Sequence, residues 1–299
     1  MDVKQANVVY HDWEAGSYDD KWSISFDQRC VDYAARIFRL ATNGEQVPGE
    51  GRTLELGCGT GFFSLNLWQA GLIGEVHVTD ISEKMVRVCQ ANGRAIGCEV
   101  HGQQAEAEAL PHDDDSFDVV LAHAMIHHVP DVAGALAEAR RVLRPGGMLV
   151  IAGEPTLLGD FVAGQFKRAA RITVRTAAAL AGPERVLAEA EPMSEADRRA
   201  ARLEEVVDQH VFTPGELAEL ADQAGFERVR TVTDELTASW FGWTTRTVEA
   251  MVRPELLPER WPWIAYRTWK ALLAVDQRVG RLVPDGLHYN CLLSARAPE

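Results

Sequence analysis

The run Leu54-Glu55-Leu56-Gly57-Cys58-Gly59-Thr60-Gly61 constrains this chain more than any other. An apolar stretch of strand type feeds into three glycines at alternate positions, and a helical pattern follows. The backbone must therefore turn sharply and can come close to a ligand. A strand-loop-helix unit of this kind belongs to a parallel sheet covered by its crossover helices. The dinucleotide fingerprint needs glycine where Phe62 stands, and the phosphate-binding loop needs a Gly-Lys-Ser/Thr that is absent, so the loop fits neither class well. Asp80 ends the next strand, 19 residues after Gly61, where a carboxylate can accept both hydroxyls of an adenosine ribose.

The surrounding pattern extends the same architecture. Short apolar runs at 53–56, 75–79, 99–101, 117–122 and 148–152 alternate with amphipathic stretches between about residues 50 and 154, as in successive strand-helix-strand units. Ser82 is placed to cap a helix running to Ile96, and Arg144-Pro145-Gly146-Gly147 stops the helix whose apolar face is Val132, Leu136, Ala139 and Leu143. Beyond Pro155 the alternation gives way to an Ala-, Arg- and Glu-rich helical stretch, with Ser194 and Asp197 spaced as a cap pair. Thr213 and Glu216 form a capping box around Pro214, which restores the core pattern; a strand at 226–232 follows. A second interruption holds five of the eight tryptophans, and 289–295 is the last strand.

These signals predict one α/β domain: a Rossmann-like, seven-stranded, mostly parallel sheet with helical insertions forming a substrate cap. Its expected parts are an N-terminal helical lid at 1–48, a cofactor-binding core at 49–154, a helical insertion at 155–209, core again at 210–234, an aromatic-rich helical insertion at 235–287 and the final strand at 288–299. With 299 residues, 46% of them hydrophobic, the chain can build a sizeable core. Its formal charge of −14 disfavours nucleic acid and anionic membranes as partners. The five cysteines are scattered, with no metal-binding spacing, and fit free thiols of a reducing compartment. No signal peptide or membrane-spanning run is visible, so a cytoplasmic location is expected. Asp113-Asp114-Asp115 reads as a solvated turn, and no metal is expected.

Several blocks then recur in the order of a known family: the glycine loop, Asp80, Glu106-Ala107-Glu108-Ala109-Leu110-Pro111, Ser116-Phe117-Asp118-Val119-Val120, His127-His128-Val129-Pro130-Asp131 and Arg141-Val142-Leu143-Arg144-Pro145-Gly146-Gly147. Residues 50–154 resemble the class I S-adenosylmethionine-dependent methyltransferases, in the small-molecule branch that includes quinone-biosynthesis enzymes. The resemblance implies binding of S-adenosyl-L-methionine and its product S-adenosyl-L-homocysteine. It implies cofactor contacts at Tyr18, Glu55, Gly57, Cys58, Gly59, Gly61, Asp80, Ile81, Glu106, Ala107 and His123. Glu106 stands where the family often has Asp, taken to accept from the adenine amino group. Glu55 is the expected acid near the methionine end. The cofactor carries no phosphate, and its ammonium and sulfonium favour acids and carbonyls.

His127 is the first candidate for a general base and Glu154 the second; a structural role is the competing reading for both. Trp22, His128, Trp240 and Trp243 are the candidate substrate contacts, with ordinary core packing as the alternative for the tryptophans. After the fourth strand the chain reads His123-Ala124-Met125-Ile126 rather than the Asn/Asp-Pro-Pro-aromatic block of enzymes that methylate adenine or amide nitrogens, and no cysteine follows a proline as in RNA cytosine methyltransferases. The expected activity is methyl transfer to a small, hydrophobic or aromatic acceptor through O, N or C. A non-catalytic cofactor-binding regulator and a protein or tRNA methyltransferase stay open beside it, as does the oligomeric state.

Overall fold

The sheet is centred on strands whose side chains are buried on both faces. In a computed structural model that describes residues 2–45, 47, 51–188, 194–207 and 210–299, these are β1 (Arg52–Leu56), β2 (Glu75–Asp80), β4 (Phe117–His123) and β5 (Leu143–Pro155). Leu54, Val76, Val120 and Val150 are almost fully buried in them, as a sheet packed on both faces requires. β3 (Val100–Gln104), β6 (Glu227–Asp234) and β7 (Asn290–Arg296) complete a seven-stranded sheet in the order β3-β2-β1-β4-β5-β7-β6. The pairs β3/β2, β2/β1, β1/β4 and β4/β5 are parallel. The helices are α1 (Val3–Glu14), α2 (Tyr18–Trp22), α3 (Gln28–Ala41), α4 (Phe62–Gln69), α5 (Glu83–Ile96), α6 (Val132–Val142), α7 (Leu157–Ala181), α8 (Pro183–Val186), α9 (Glu195–Ala201), α10 (Glu204–Val207), α11 (Pro214–Gln223), α12 (Thr237–Glu249) and α13 (Trp261–Val279).

The chain forms two compact units. The first is 1–154 with 194–232 and 292–299; the second is 155–193 with 233–291. The insertion expected at 155–209 therefore divides: its first part, with α7 and α8, belongs to the second unit, and α9 and α10 belong to the first, where Val207 is buried with Ala6 and Tyr10 of α1. The boundaries expected at 48/49 and 209/210 involve residues outside those described. Among the described residues, no helix is long and apolar enough to cross a membrane.

Within the first unit, strand order fixes where a ligand can sit. The chain leaves β1 toward β2 and β3 on one side, and reaches β4 and β5 on the other, so the carboxyl ends of β1 and β4 diverge and leave a crevice. Glu55 and the glycine loop follow from β1, Asp80 ends β2, His123 ends β4, and Glu154 lies near the end of β5. All of them face that one edge.

The second unit is helical and held by buried polar caps as well as aromatic packing. Asp276, 4% exposed, accepts from the amides of Leu236, Thr237 and Ala238 and so caps the start of α12. Thr156 caps α7 by accepting from the amide of Gly159. Trp240 stacks on Phe166 with ring centroids 5.3 Å apart, and Trp243 packs on Tyr289 at 5.6 Å with the Lys167 ammonium over its ring.

Candidate active site

The glycine loop adopts conformations that side chains rarely tolerate. Gly57, Gly59 and Gly61 have φ of 56°, 50° and 91°, and a Cβ at Gly57 would fall 2.8 Å from Cβ of Met125. The ring of Tyr18 lies over Gly59, 3.7 Å from where a Cβ would be. Cys58 is buried as a small packing residue, its thiol pushed up by burial, which disfavours the thiolate that nucleophilic chemistry needs.

Asp80 ties the loop to the neighbouring strand. Its carboxylate accepts from the amides of Gly59 (2.9 Å) and Ser82 (2.8 Å), one on each oxygen. Each oxygen keeps a lone pair, so both ribose hydroxyls can still be accepted. Burial pushes this carboxyl up to about 6. Glu55 is 2% exposed and accepts from the amide of Ser64 at the start of α4 (3.2 Å); burial raises it to about 8. Burial makes both acids harder to ionise than their free counterparts, Glu55 the more so, which suits a ligand that brings its own positive charge.

A cleft of about 520 Å³ opens beside them, lined by Lys4, Gln5 and Val8 of α1 and by Ile81, Gln104, Ala105 and Glu106. Ile81 and Glu106 thus meet where an adenine would lie, and Ala107 beside them is buried. The carboxylate of Glu106 is paired with Lys4, which is 3.4 Å from Glu108 as well. An adenine amino group would share Glu106 with that ammonium.

Helix α1 runs from this cleft to the other end of the site. Asp12 accepts from the hydroxyl of Ser82 (2.6 Å), Asn7 donates to the carbonyl of His128 (3.3 Å), and the rings of His11 and His128 are 5.4 Å apart. Glu14, 2% exposed, takes the Tyr10 hydroxyl and the Lys21 ammonium, which fixes α1 to α2. Trp22 is half-buried, its ring under the same ammonium at 4.9 Å. None of Lys4, Asn7, His11, Asp12 or Glu14 was marked by the sequence patterns; only the Tyr18–Trp22 segment was.

At the far end, a 3₁₀ turn at Ile126–His128 is built around Glu154. This fully buried carboxylate accepts from the amides of Met125 (3.0 Å), Ile126 (3.0 Å) and His127 (3.1 Å), and from Nδ1 of the His127 ring (2.7 Å). Burial alone would raise its pKa, but the His127 ring and those amides outweigh it and hold the carboxyl below its ordinary value. An ionised Glu154 fixes Nδ1 of His127 as a donor to it. Four N–H groups thus meet the two oxygens of Glu154 and hold the His127 ring against it. His128 points its Nδ1 at the carbonyl of Val207 (3.1 Å), and burial keeps its ring neutral. His123 packs on Phe63 and Phe62 at 5.0 and 5.1 Å, and burial lowers it to about 4, so it meets the site as a neutral ring.

The residues fit S-adenosylmethionine. Two buried acids and a glycine loop suit a ligand with hydroxyls and positive charge, and buried Thr60 Oγ1 and Asp19 Oδ1 lack a protein partner among the described residues. Strand order and switch-point crevice are those of a doubly wound α/β sheet that binds its ligand at the carboxyl ends of the strands. Residues 54–151 match a family model described as methyltransferase domain. The chain is 40% identical over 115 residues to the 27-O-demethylrifamycin SV methyltransferase of Amycolatopsis mediterranei (strain S699), covering 37% of this chain and 39% of that one. It is 34% identical over 137 residues to the demethylmenaquinone methyltransferase of Staphylococcus carnosus (strain TM300), covering 45% of this chain and 54% of that one. It thus spans only about 39 to 54% of the length of these two relatives. In fold it resembles phosphoethanolamine N-methyltransferase 2 of Haemonchus contortus, solved with S-adenosyl-L-methionine: TM-score 0.53, 15% identity, 90% of this chain and 53% of that one. Residues 54–151 are thus similar to a methyltransferase domain.

Proposed function

We propose that this protein moves the methyl group of S-adenosylmethionine to a small, hydrophobic or aromatic organic acceptor, through a hydroxyl or an acidic carbon. The observation that carries the reading is the Glu154–His127 pair, 2.7 Å apart, on the turn that packs against the glycine loop. When bound, the cofactor supplies an electrophilic methyl on a sulfonium for in-line displacement. Asp80 holds the ribose hydroxyls, Glu55 balances charge at the amino-acid end, and Ile81 with Glu106 flanks the base. Nε2 of His127 takes the proton of the attacking hydroxyl or carbon acid, and Glu154 stabilises the resulting imidazolium. Helix α1, which lies along the site from Lys4 to His11, acts as a lid that excludes water.

The choice of acceptor rests on chemistry at both ends. A base oriented by a carboxylate is of no use to a pre-ionised nucleophile, and is needed for a weakly acidic one. Both curated relatives carry the name of a methyltransferase that acts on a quinone- or rifamycin-type molecule, which supports an aromatic acceptor. The test is S-adenosylhomocysteine formation with a panel of hydroxylated quinones and phenols. His127→Ala and His127→Gln should lower turnover about a hundredfold or more while cofactor affinity stays nearly intact. Turnover within a few fold of the parent would show that positioning alone carries the reaction. Binding of cofactor with no turnover on any acceptor would favour a regulatory cofactor-binding protein.

A further inference from the structure

The opposite end of the same sheet, at the starts of β2 and β3, gathers a second set of donor atoms that methyl transfer does not use. His77 and His101 sit directly across from each other in the β2/β3 register, and Glu75 lies two residues before His77 on the same face. The two imidazole rings are 4.7 Å apart. Oε1 of Glu75 is 2.7 Å from Nε2 of His77 and 3.7 Å from Nε2 of His101, and the three ligand atoms all lie within 4.8 Å of one another. Bonds of about 2.0 to 2.2 Å to a tetrahedral ion put its ligands about 3.3 Å apart, so small side-chain shifts suffice.

The bonding at His77 is unresolved without a further partner. Its Nε2 faces the Glu75 carboxylate and also Nη2 of Arg52 at 3.3 Å, an acceptor and a donor at one nitrogen. No tautomer serves both. A cation that takes the lone pair of Nε2 and an oxygen of Glu75 serves the imidazole and the carboxylate together, and Arg52 keeps its anchors on the Ser116 carbonyl (3.2 Å) and the Phe117 ring (5.0 Å). His101 and Glu75 are exposed, so an ion has access and water can complete its shell.

We propose that Glu75, His77 and His101 form a binding site for a divalent transition metal of the zinc class, which clamps edge strand β3 to β2. Two imidazoles and one carboxylate select zinc, nickel or copper over magnesium or calcium, which prefer all-oxygen shells. The consequence reaches the reaction site through one strand: β3 ends at Gln104, and Ala105 and Glu106 follow it into the cleft beside Asp80.

The test is titration of the full chain with zinc chloride and, separately, magnesium chloride, by calorimetry and thermal melting. The expected result is saturable uptake of about one zinc per chain with a rise in melting temperature, and no response to magnesium. His101→Ala and Glu75→Gln lie at the surface and should fold; each should weaken zinc at least about tenfold. Arg52→Met removes a competing positive charge and should tighten it. The proposal is overturned if zinc shows no saturable binding below about 1 mM, or if both variants bind it as the parent does, which would assign the metal to other histidines or to thiols.

Discussion

Glu55 gives the sharpest test of how the cofactor is held, because its protonation must change when a cation arrives. In the ligand-free protein burial raises this carboxyl to about 8, and it accepts from the amide of Ser64. At pH 7 a group of that pKa is about 90% protonated, so the site holds about 0.9 proton that free Glu would lack. An ammonium set near it favours the carboxylate, and the pair forms only if that proton leaves. Binding of S-adenosylhomocysteine at pH 7 should therefore release about 0.9 proton per chain from Glu55. Asp80, raised only to about 6, is already about 90% ionised there and adds about 0.1. The assay is calorimetry at fixed pH in two buffers of different ionisation enthalpy; the difference in heat divided by the difference in ionisation enthalpy gives the protons released. Release should fall to about 0.1 at pH 9, where Glu55 is ionised beforehand, and Glu55→Gln should remove it at pH 7. A wild-type release near zero at pH 7, or an unchanged release in Glu55→Gln, would refute the reasoning and place the ammonium elsewhere.

Asp80 must be ionised to accept from the ribose, and its folded pKa of about 6 lies above its ordinary 3.8, so cofactor affinity should rise as pH climbs through 6 and level off above 7. Asp80→Asn should flatten that profile, and Asp80→Ala should weaken binding by about 1.5 to 3 kcal/mol; an unchanged dissociation constant would show that another group holds the ribose. Glu154→Gln should lower turnover about a hundredfold or more, because an amide in its place brings a donor against three backbone N–H groups and loses the orienting charge on His127; wild-type rates would remove the pair from the mechanism. Hydrogen exchange over residues 3–22 should slow on cofactor binding if α1 and α2 are a lid, and equal exchange with and without cofactor would make them a fixed part of the wall.

What the sequence discloses depends on how each element is buried. The central strands are legible because both faces are covered, which turns them into unbroken apolar runs such as Val119-Val120-Leu121-Ala122. β3 was expected at 99–101 and lies at Val100–Gln104, because an edge strand of Gly102-Gln103-Gln104 has little apolar pattern to show. β5 starts at Leu143, not near Met148, since the Arg144–Gly147 stretch that reads as a helix stop also pairs with the C-terminal segment through Gly146, Gly147 and Ala297. The cofactor loop was legible for a related reason: glycine is the residue that such turns demand, so conformation is written directly into composition.

Helix α1 falls within the helical lid expected at 1–48, but its own site-facing residues were not legible on the same logic. Its buried positions include Asn7 and Glu14 beside Ala6 and Tyr10, so polar side chains that serve the site interrupt the apolar stripe that would announce a helix. The relation of His127 to Glu154 was hidden differently, since both residues were picked out, His127 first and Glu154 second, but the bond between them was not. Twenty-seven positions separate them, and only folding shows that three amides and a ring nitrogen converge on the Glu154 carboxylate. Those four contacts fill the acceptor positions of the Glu154 carboxylate, and on that ground the proposed function makes it the group that orients His127 rather than the base. Residue type narrows the base to two candidates, and hydrogen-bond saturation is what the proposal uses to choose between them.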